Sequence, residues 1–373
     1  MSRVFSRKLG LYGKIFFTMT LQRWGEEMNI EEEFLKQQIL ERLNNLTKPI
    51  KSLGYLEDIV LKIGLIQGKI IPDLPKDKRV YIFAADHGVA ANGVSAYPKQ
   101  VTYQMVLNFL NGGAAINVFS RHVGAKVYVV DAGIDGDFDV KNDYFINAKI
   151  GYGTNDFTKG PAMSREQAEK CIEYGRKIAK EAIESGADLL VVGDMGIGNT
   201  TTASAIAVSF GFDIDEILDI GTFIDKDGLK RKRKAIQKAI EINNPDKNDP
   251  VDVLAKVGGF CFGQMAGFIL KSAEEKIPVL IDGFPTTAVL LLAWNMDHNV
   301  LRYVFAGHRS MVKGHKVILD ALNLRPILDL NMRLGEGTGA VLSIPIIEAA
   351  IKMIGEMSTF ESAGVSKGVD QIK

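Results

Sequence analysis

Five short apolar runs, each followed within a few residues by Asp, His or Gly, constrain the fold of this chain more than any other feature. The runs are Val80–Ala85, Lys126–Val130, Leu189–Val192, Ile277–Ile281 and Tyr303–Phe305. Segments with helical periodicity lie between them, and short apolar strands that alternate with helices are typical of a parallel sheet covered on both faces. The carboxyl ends of parallel strands share one edge, where open α/β folds bind ligands, so we expect the functional residues there.

The pattern predicts an α/β protein with an open, mainly parallel, Rossmann-like sheet and helices on both faces. The helical segments are Val101–Leu110, Arg165–Ser185, Leu229–Ile242, Val253–Ala273 and Gly314–Leu324. We expect a small helical region at 28–76, joined by 340–373, and an α/β domain at 77–339. In the apolar segment Ala340–Met353, Pro345 fits a helix only in its first turn.

Residues 1–27 are basic with one short apolar patch, and no acidic residue precedes Glu26. The apolar patch is short for a signal peptide and no clear cleavage site follows it, so we interpret the segment as a disordered extension or a non-native start. No run of 18 apolar residues occurs in the chain, so no membrane-spanning helix is predicted.

The charge balance and the placement of cysteine and histidine bear on nucleic-acid binding, metal binding and cellular location. Lys and Arg together number 45, as do Asp and Glu, so bulk charge does not favour nucleic acid. The two cysteines, Cys171 and Cys261, lie far apart and the five histidines are scattered. This pattern favours a reducing, cytoplasmic location and indicates no metal or cofactor.

The stretch Asp188–Thr202 combines a buried strand, a turn with three glycines and the start of a helix. Asn199 or one of the following threonines can cap the helix. Glycines let backbone N–H groups approach a ligand, and a helix N-terminus favours an anion such as phosphate. The stretch Asp188–Thr202 matches neither a Walker sequence nor a dinucleotide-binding fingerprint. A strand-to-helix turn that binds no ligand remains an alternative.

A second glycine-rich loop, Arg333–Gly339, carries one carboxylate flanked by glycines. In an apolar pocket, Glu336 would have a raised pKa, which suits a general base. The alternative is a glutamate that bonds backbone N–H groups in its own loop.

Other polar residues at the strand ends favour structural roles. Asp86 and His87 point to opposite faces, so they are unsuited to act as an acid/base pair, and we expect Asp86 to bond N–H groups of 88–93. The run Lys230–Lys234 is a solvated helix face from which one member can reach a phosphate. His308, Ser310, Lys313 and His315 follow the last strand, and structural hydrogen bonding is the default for them.

Taken together, the motifs resemble the nicotinate-nucleotide:dimethylbenzimidazole phosphoribosyltransferase family, from about Lys48 to the C-terminus. The matching stretches include 52–57, 85–89, 98–102, 130–134, 160–164, 193–201, 251–260, 278–284 and 333–339. The resemblance implies transfer of phosphoribose from nicotinate mononucleotide to 5,6-dimethylbenzimidazole, which gives α-ribazole 5′-phosphate and nicotinate. It also implies Glu336 as general base on the benzimidazole N–H, without a metal or cofactor.

The resemblance also implies the binding residues and a homodimer. The residues expected at the phosphoribosyl group are Asp194, Gly196, Gly198, Asn199, Thr200, Lys232, Gly307, His308 and Ser310. The residues expected at the base are Tyr97, Met105 and Leu334. Asp194 stands where many members have Glu, so its carboxylate reaches one methylene less far. A nucleosidase that hydrolyses nicotinate mononucleotide and a non-catalytic nucleotide-binding protein are the alternative functions.

Overall fold

A computed structural model describes residues 30–218 and 226–367, and the predicted N-terminal extension lies outside these residues. The described chain divides into two compact units. Within the described residues, the smaller unit comprises 30–74, Leu319–Arg325 and 346–367, and the larger comprises 75–218, 226–318 and Pro326–Pro345. The domain boundaries expected from the sequence, 28–76 joined by 340–373 and 77–339, stay a prediction.

The larger unit contains one sheet of seven parallel strands. The strands are β1 (Lys78–Ala85), β2 (Lys126–Gly133), β3 (Phe145–Asn147), β4 (Leu189–Met195), β5 (Val279–Ile281), β6 (Val304–His308) and β7 (Pro326–Leu328). Their order is β3-β2-β1-β4-β5-β6-β7, and every pair is parallel. The order reverses between β1 and β4, which is the switch point of a Rossmann-type sheet. The predicted fold class is confirmed.

Helices connect the strands of this unit. They are α3 (Val101–Leu110), α4 (Ala115–Val123), α5 (Arg165–Glu184), α6 (Asn199–Ser209), α7 (Ile214–Ile217), α8 (Lys226–Asn243), α9 (Pro250–Val257), α10 (Phe260–Glu274), α11 (Phe284–Met296) and α12 (Lys313–Ala321). Short 3₁₀ helices occupy Gly88–Asn92 and His298–Arg302. Strands β3 and β7 were missed in the sequence because neither lies in a longer continuous apolar run, whereas the equally short β5 lies within Ile277–Ile281.

The helix predicted over Val253–Ala273 is two helices, α9 and α10, separated by Gly258 and Gly259. Both glycines have extended backbone rather than helical angles. A Cβ at Gly259 would lie 2.6 Å from the ring of His87, so the break lets backbone approach a buried histidine. Apolar periodicity continues through the break and therefore hides it.

The smaller unit contains α1 (Ile30–Asn45), α2 (Tyr55–Gln67) and the C-terminal part of α13 (Thr338–Glu356). Helices α1 and α2 pack together through buried apolar residues such as Ile39 and Ile63. The Arg42 guanidinium donates to the Ile354 carbonyl over 2.8 Å, which joins the N- and C-terminal segments of this unit.

Helix α13 differs from its prediction because Pro345 lies inside it, beyond the first turn. The helix begins at Thr338, and burial of Ala340, Val341, Ile344 and Ile347 outweighs the backbone bond that proline removes. Among the described helices of at least 18 residues, α13 is the one long and apolar enough to cross a membrane, but 61% of the apolar window is buried, as in core helices.

Helices α5 and α10 pack backbone to backbone, and Gly175 makes this approach possible. A Cβ at Gly175 would lie 1.8 Å from the Gln264 carbonyl oxygen, which no side-chain rotation can relieve. We therefore expect Gly175→Ala to lower the melting temperature although alanine favours helix, with a loss of about 1–3 kcal/mol in the free energy of unfolding.

The matched control for this packing prediction is Gly355→Ala in α13, where a Cβ would lie 3.4 Å from the nearest atom of Ile71. It should be neutral or slightly stabilising. Equal melting temperatures for the two variants would contradict the packing argument.

Candidate active site

The carboxyl ends of β1, β4, β5 and β6 bring several predicted polar residues to one edge of the sheet. Asp86 and His87 follow β1, Asp194 lies near the end of β4, Asp282 follows β5, and His308 ends β6. All five side chains are buried. Burial of so many polar groups at the edge where the strand order reverses favours a ligand site.

The loop that carries Glu336 lies against this edge through a close backbone contact. A Cβ at Gly193, in β4, would lie 2.6 Å from the Glu336 carbonyl carbon and 2.7 Å from the Gly337 nitrogen. Only glycine at position 193 allows this approach. Glu336 itself has φ +64°, a left-handed conformation that costs a non-glycine residue about 1 kcal/mol.

Glu336 has the properties of a general base. Its side chain is 7% exposed, and among the described residues its Oε2 atom has no hydrogen-bond partner. Burial, followed by repulsion from Asp282 and Asp194, raises the pKa of Glu336 to about 7. The alternative of a glutamate bonded within its own loop does not account for this free oxygen. A carboxyl group that titrates near neutral pH can accept a proton efficiently there.

Asp282 is a buried residue that the sequence analysis did not select. Its carboxylate accepts backbone N–H bonds from Gly337 (3.1 Å), Gly339 (2.8 Å) and Ala340 (3.0 Å). Burial raises the pKa of Asp282, but hydrogen bonding and charge from His308 and these N–H bonds outweigh it and hold the pKa below its ordinary value. The sequence indicates Asp282 only by its position directly after an apolar strand. Its hydrogen-bond donors lie more than 50 residues away, so local sequence could not predict them.

The predicted nucleotide-binding residues after β4 form a hydrogen-bonded chain. The side-chain amide of Asn199 donates to the Asp194 carboxylate over 2.6 Å, and the Thr200 N–H donates to the Asn199 side-chain oxygen Oδ1 over 2.7 Å. The Lys232 ammonium, in α8, donates to the Thr200 hydroxyl over 2.8 Å. Lys232 is 3% exposed, whereas Lys230, Arg231 and Lys234 of the same charge run are more accessible. The structure thus brings Asp194, Asn199, Thr200 and Lys232 together.

Asp194 and Glu336 are two carboxyl groups with raised pKa values in one site. Burial raises the pKa of Asp194 to about 7, aided by repulsion from Asp282 and opposed by the bond from Asn199. The charge of Asp194 adds, after burial and Asp282, to the rise in the pKa of Glu336.

Three of the predicted binding glycines contact protein atoms closely. A Cβ at Gly196 would lie 2.4 Å from the Ala85 carbonyl oxygen, and one at Gly307 would lie 2.3 Å from the Ala340 Cα. Gly198 has φ +99° and precedes α6. Close packing accounts for Gly196 and Gly307; their contact with a ligand stays a prediction.

His308, Ser310 and His315 lie together after β6. His308 Nε2 is 3.3 Å from Asp282 Oδ1, and the Ser310 N–H donates to His315 Nδ1 over 2.9 Å. Burial, with repulsion from His308, lowers the pKa of His315 to about 3, so this imidazole is neutral. The structure places His308 and Ser310 on the same edge as Glu336.

The predicted base-binding residues are more accessible than the others. Tyr97 is 51% exposed in the loop before α3, Met105 is half-buried on α3, and Leu334 is 57% exposed in the Glu336 loop. Their contact with a base stays a prediction.

The prediction for Asp86 was wrong. Its carboxylate accepts from the Asp135 N–H over 2.8 Å, and the Gly88 N–H donates instead to the Thr154 hydroxyl. The loop after β2 reaches the end of β1 because the two strands are neighbours, which local sequence does not show. His87 Nδ1 is 2.9 Å from the Thr202 hydroxyl, and burial lowers the pKa of His87 to about 4, so Asp86 and His87 are not an acid/base pair.

Within residues 30–218 and 226–367, no group of three or more His, Cys, Asp or Glu side chains is placed to hold a metal ion. The titratable groups with pKa values near neutral at this edge are the carboxyl groups of Asp194 and Glu336. The fold and the site together define a class of α/β proteins with a candidate ligand site at the switch point of the sheet, where a carboxyl group with a raised pKa is buried.

Comparison with known proteins identifies the family. Residues 29–365 match the family model DBI_PRT, described as phosphoribosyltransferase. The nicotinate-nucleotide--dimethylbenzimidazole phosphoribosyltransferase of Desulforamulus reducens is 47% identical over 89% of this chain and 95% of its own. That of Chloroflexus aggregans is 50% identical over 87% of this chain and 92% of its own.

A solved structure supports the same assignment. The crystal structure of the corresponding enzyme from Thermus thermophilus superposes with a TM-score of 0.85 at 44% identity, covering 91% of this chain and all of that one. The chain belongs to the nicotinate-nucleotide--dimethylbenzimidazole phosphoribosyltransferase family.

The buried Glu336 carboxyl predicts a pH-dependent stability. Its folded pKa, about 7, lies above the unfolded value, so its contribution to stability is present at low pH and is lost as the pH rises through 7. Glu336→Gln cannot ionise, so we expect it to raise the melting temperature relative to the parent at pH 8, by about 1–3 kcal/mol in the free energy of unfolding, and less at pH 5.5.

Thermal unfolding of the parent, Glu336→Gln and the exposed-site control Glu173→Gln at both pH values tests this expectation. The control should differ little from the parent at either pH. An effect of Glu336→Gln that is the same at pH 5.5 and 8 would show that Glu336 does not titrate between them.

Proposed function

We propose that this protein transfers phosphoribose from nicotinate mononucleotide to 5,6-dimethylbenzimidazole, giving α-ribazole 5′-phosphate and nicotinate for assembly of the cobalamin nucleotide loop. The observation that carries the proposal is Glu336, a buried carboxyl group with an unpartnered oxygen and a pKa near 7 at the sheet edge. Relatives of this length and similarity bear the name of this activity.

The chemistry requires two positioned substrates and one base. A ring nitrogen of the benzimidazole attacks C1′ of the ribose, and the bond from C1′ to the pyridinium nitrogen of nicotinate breaks. The electron pair of that bond neutralises the pyridinium, so the leaving group needs no protonation. The proton on the other benzimidazole nitrogen passes to Glu336, which makes the attacking nitrogen more nucleophilic as the new bond forms.

The chain of Asp194, Asn199, Thr200 and Lys232 supports binding of the nucleotide. The Lys232 ammonium and the Thr200 hydroxyl offer a cation and a donor beside the N-terminus of α6, an environment that favours a phosphate. The exposed apolar surfaces of Tyr97 and Leu334 favour a flat aromatic acceptor, because covering them removes apolar area from water.

We further propose a cytoplasmic homodimer. The dimer is the state that the family resemblance implies, and light scattering on the purified protein tests it. Both cysteines are free and buried, which supports a reducing compartment.

The proposed reaction predicts that nicotinate is released only when 5,6-dimethylbenzimidazole is present, together with an equal amount of α-ribazole 5′-phosphate. Chromatography of reactions with and without the base measures both products. Glu336→Gln should lower kcat about 100-fold or more because it removes the proton acceptor, whereas Glu173→Gln should not change kcat.

Two outcomes would contradict the transferase. Release of nicotinate and ribose 5-phosphate without the base would show a nucleosidase. Protection of the fold by nicotinate mononucleotide, with no turnover in the presence of the base, would favour a nucleotide-binding protein without this activity.

The buried ammonium of Lys232 predicts a defect specific to the nucleotide. We expect Lys232→Met to raise KM for nicotinate mononucleotide about 10- to 100-fold, since a hydrogen bond to a charged group contributes about 1.5–3 kcal/mol, and to change KM for the base little. Lys234→Met, a more accessible position two residues away on α8, is the matched control. Equal effects of the two substitutions on KM would exclude Lys232 as the phosphate contact.

A further inference from the structure

Asp282 stands between the sheet and the loop of the proposed base. It directly follows β5, it is fully buried, and the Thr286 hydroxyl accepts from its backbone N–H over 2.9 Å. Its side chain points to a different part of the chain and accepts N–H bonds from Gly337, Gly339 and Ala340. These donors follow Glu336 by one, three and four residues, so the carboxylate fixes the backbone on the C-terminal side of the base.

The loop is held from the other side by β4. Gly193 packs against the carbonyl group of Glu336 at a distance that leaves no room for a Cβ. The left-handed backbone of Glu336 is unfavourable by itself, so it needs neighbours that enforce it. Asp282 and Gly193 are two neighbours that contribute to this, beside the bonds of Thr338 to the Gly335 carbonyl within the loop.

The charges around Asp282 also bear on Glu336. His308 Nε2 lies 3.3 Å from the Asp282 carboxylate, and the His315 ring lies 6.0 Å from the His308 ring. Asp194 and Glu336 are the carboxyl groups that Asp282 repels. A second negative charge close to Glu336 disfavours its ionised form, which strengthens it as a proton acceptor.

We propose that Asp282 is a positioning residue, which holds the backbone of Glu336 in its strained conformation and thereby sets the position of its carboxyl group. This inference rests on the proposed function only where it concerns turnover. Asp282 touches neither reacting atom in this account; it acts through Glu336.

A helix cap is the competing explanation, because Gly339 and Ala340 lie in the first turn of α13. Asparagine caps a helix about as well as aspartate, and its single carbonyl oxygen can still accept from both residues. The amide NH₂ of asparagine would instead face the Gly337 N–H, and the negative charge would be lost. Asp282→Asn therefore separates capping from the proposed role.

We expect Asp282→Asn to lower kcat at high pH by 10-fold or more, with KM for nicotinate mononucleotide changed less than threefold. The acid limb of the pH profile of kcat/KM should move to lower pH, since one source of repulsion on Glu336 is removed. In the Glu336→Gln background the same substitution should lower kcat no further, because its effect passes through Glu336. The proposal would be overturned if kcat and the acid limb of Asp282→Asn equal those of the parent. It would also be overturned if Asp282→Asn lowers kcat equally in the parent and in Glu336→Gln.

A second measurement does not depend on turnover. Hydrogen exchange of peptides covering 335–341 should become faster in Asp282→Asn, while Asp194→Asn, which removes a carboxylate without touching these N–H bonds, should leave the exchange as in the parent. Unchanged exchange in Asp282→Asn would overturn the positioning role. If the parent makes no α-ribazole 5′-phosphate, the proposed function fails, yet the exchange data still decide the role of Asp282.

A milder variant covers the case in which Asp282→Asn does not fold. Thr286→Val removes the hydroxyl that accepts from the Asp282 N–H and so loosens Asp282 without changing its charge. It should accelerate hydrogen exchange at 335–341. It should lower kcat in the enzyme that retains Glu336 but not in Glu336→Gln, and it should leave the acid limb of the pH profile of kcat/KM unchanged. Parental exchange in this variant would overturn the proposal.

Discussion

Among the buried carboxyl groups at the carboxyl edge of the sheet, Asp194, Asp282 and Glu336 impose the main physical constraint on this protein, because their charges repel one another. Charged oxygens lose hydration there, and each carboxylate disfavours the ionisation of its neighbours. The three carboxyl groups differ in how far their surroundings stabilise the ionised form. Asp282 receives three backbone N–H bonds and lies beside His308, so it stays ionised, whereas Asp194 and Glu336 titrate near neutral pH. Asp282 is therefore an anion that holds the backbone, whereas Glu336 can gain and lose a proton near neutral pH.

Several features of Glu336 that suit a proton acceptor also lower the free energy of unfolding of the chain. Its backbone is strained, one carboxyl oxygen lacks a partner among the described residues, and its charged form is disfavoured by burial. Each of these features destabilises the folded chain, and each also prepares the carboxyl to accept a proton from a ligand. The surrounding fold supplies the compensation through the apolar core under the sheet, where α10 and α11 are buried along almost their whole length.

The sequence was most informative where one local pattern determines one element. Apolar runs followed by Asp, His or Gly located five of the strands, and the glycines around Glu336 marked a carboxyl group that the structure buries. The pattern was uninformative where partners come from distant segments: Asp282 binds N–H groups more than 50 residues away, and Asp86 binds the loop after a neighbouring strand. The break at Gly258 was hidden because apolar residues continue on both sides of it. Tertiary packing likewise overrode the local rule for Pro345.

The histidines at this edge show why residue type alone does not identify the proton acceptor. His87 and His315 are buried imidazoles whose nitrogens accept or share bonds with Thr202 and Ser310, and burial keeps both neutral by lowering their pKa values to about 4 and about 3. A base with so low a pKa has little driving force to take a proton from a benzimidazole N–H. Burial acts in the opposite direction on a carboxyl group, because it disfavours the charged form of either type. The same desolvation that keeps these histidines neutral therefore gives Glu336 a pKa that suits the base of the proposed reaction.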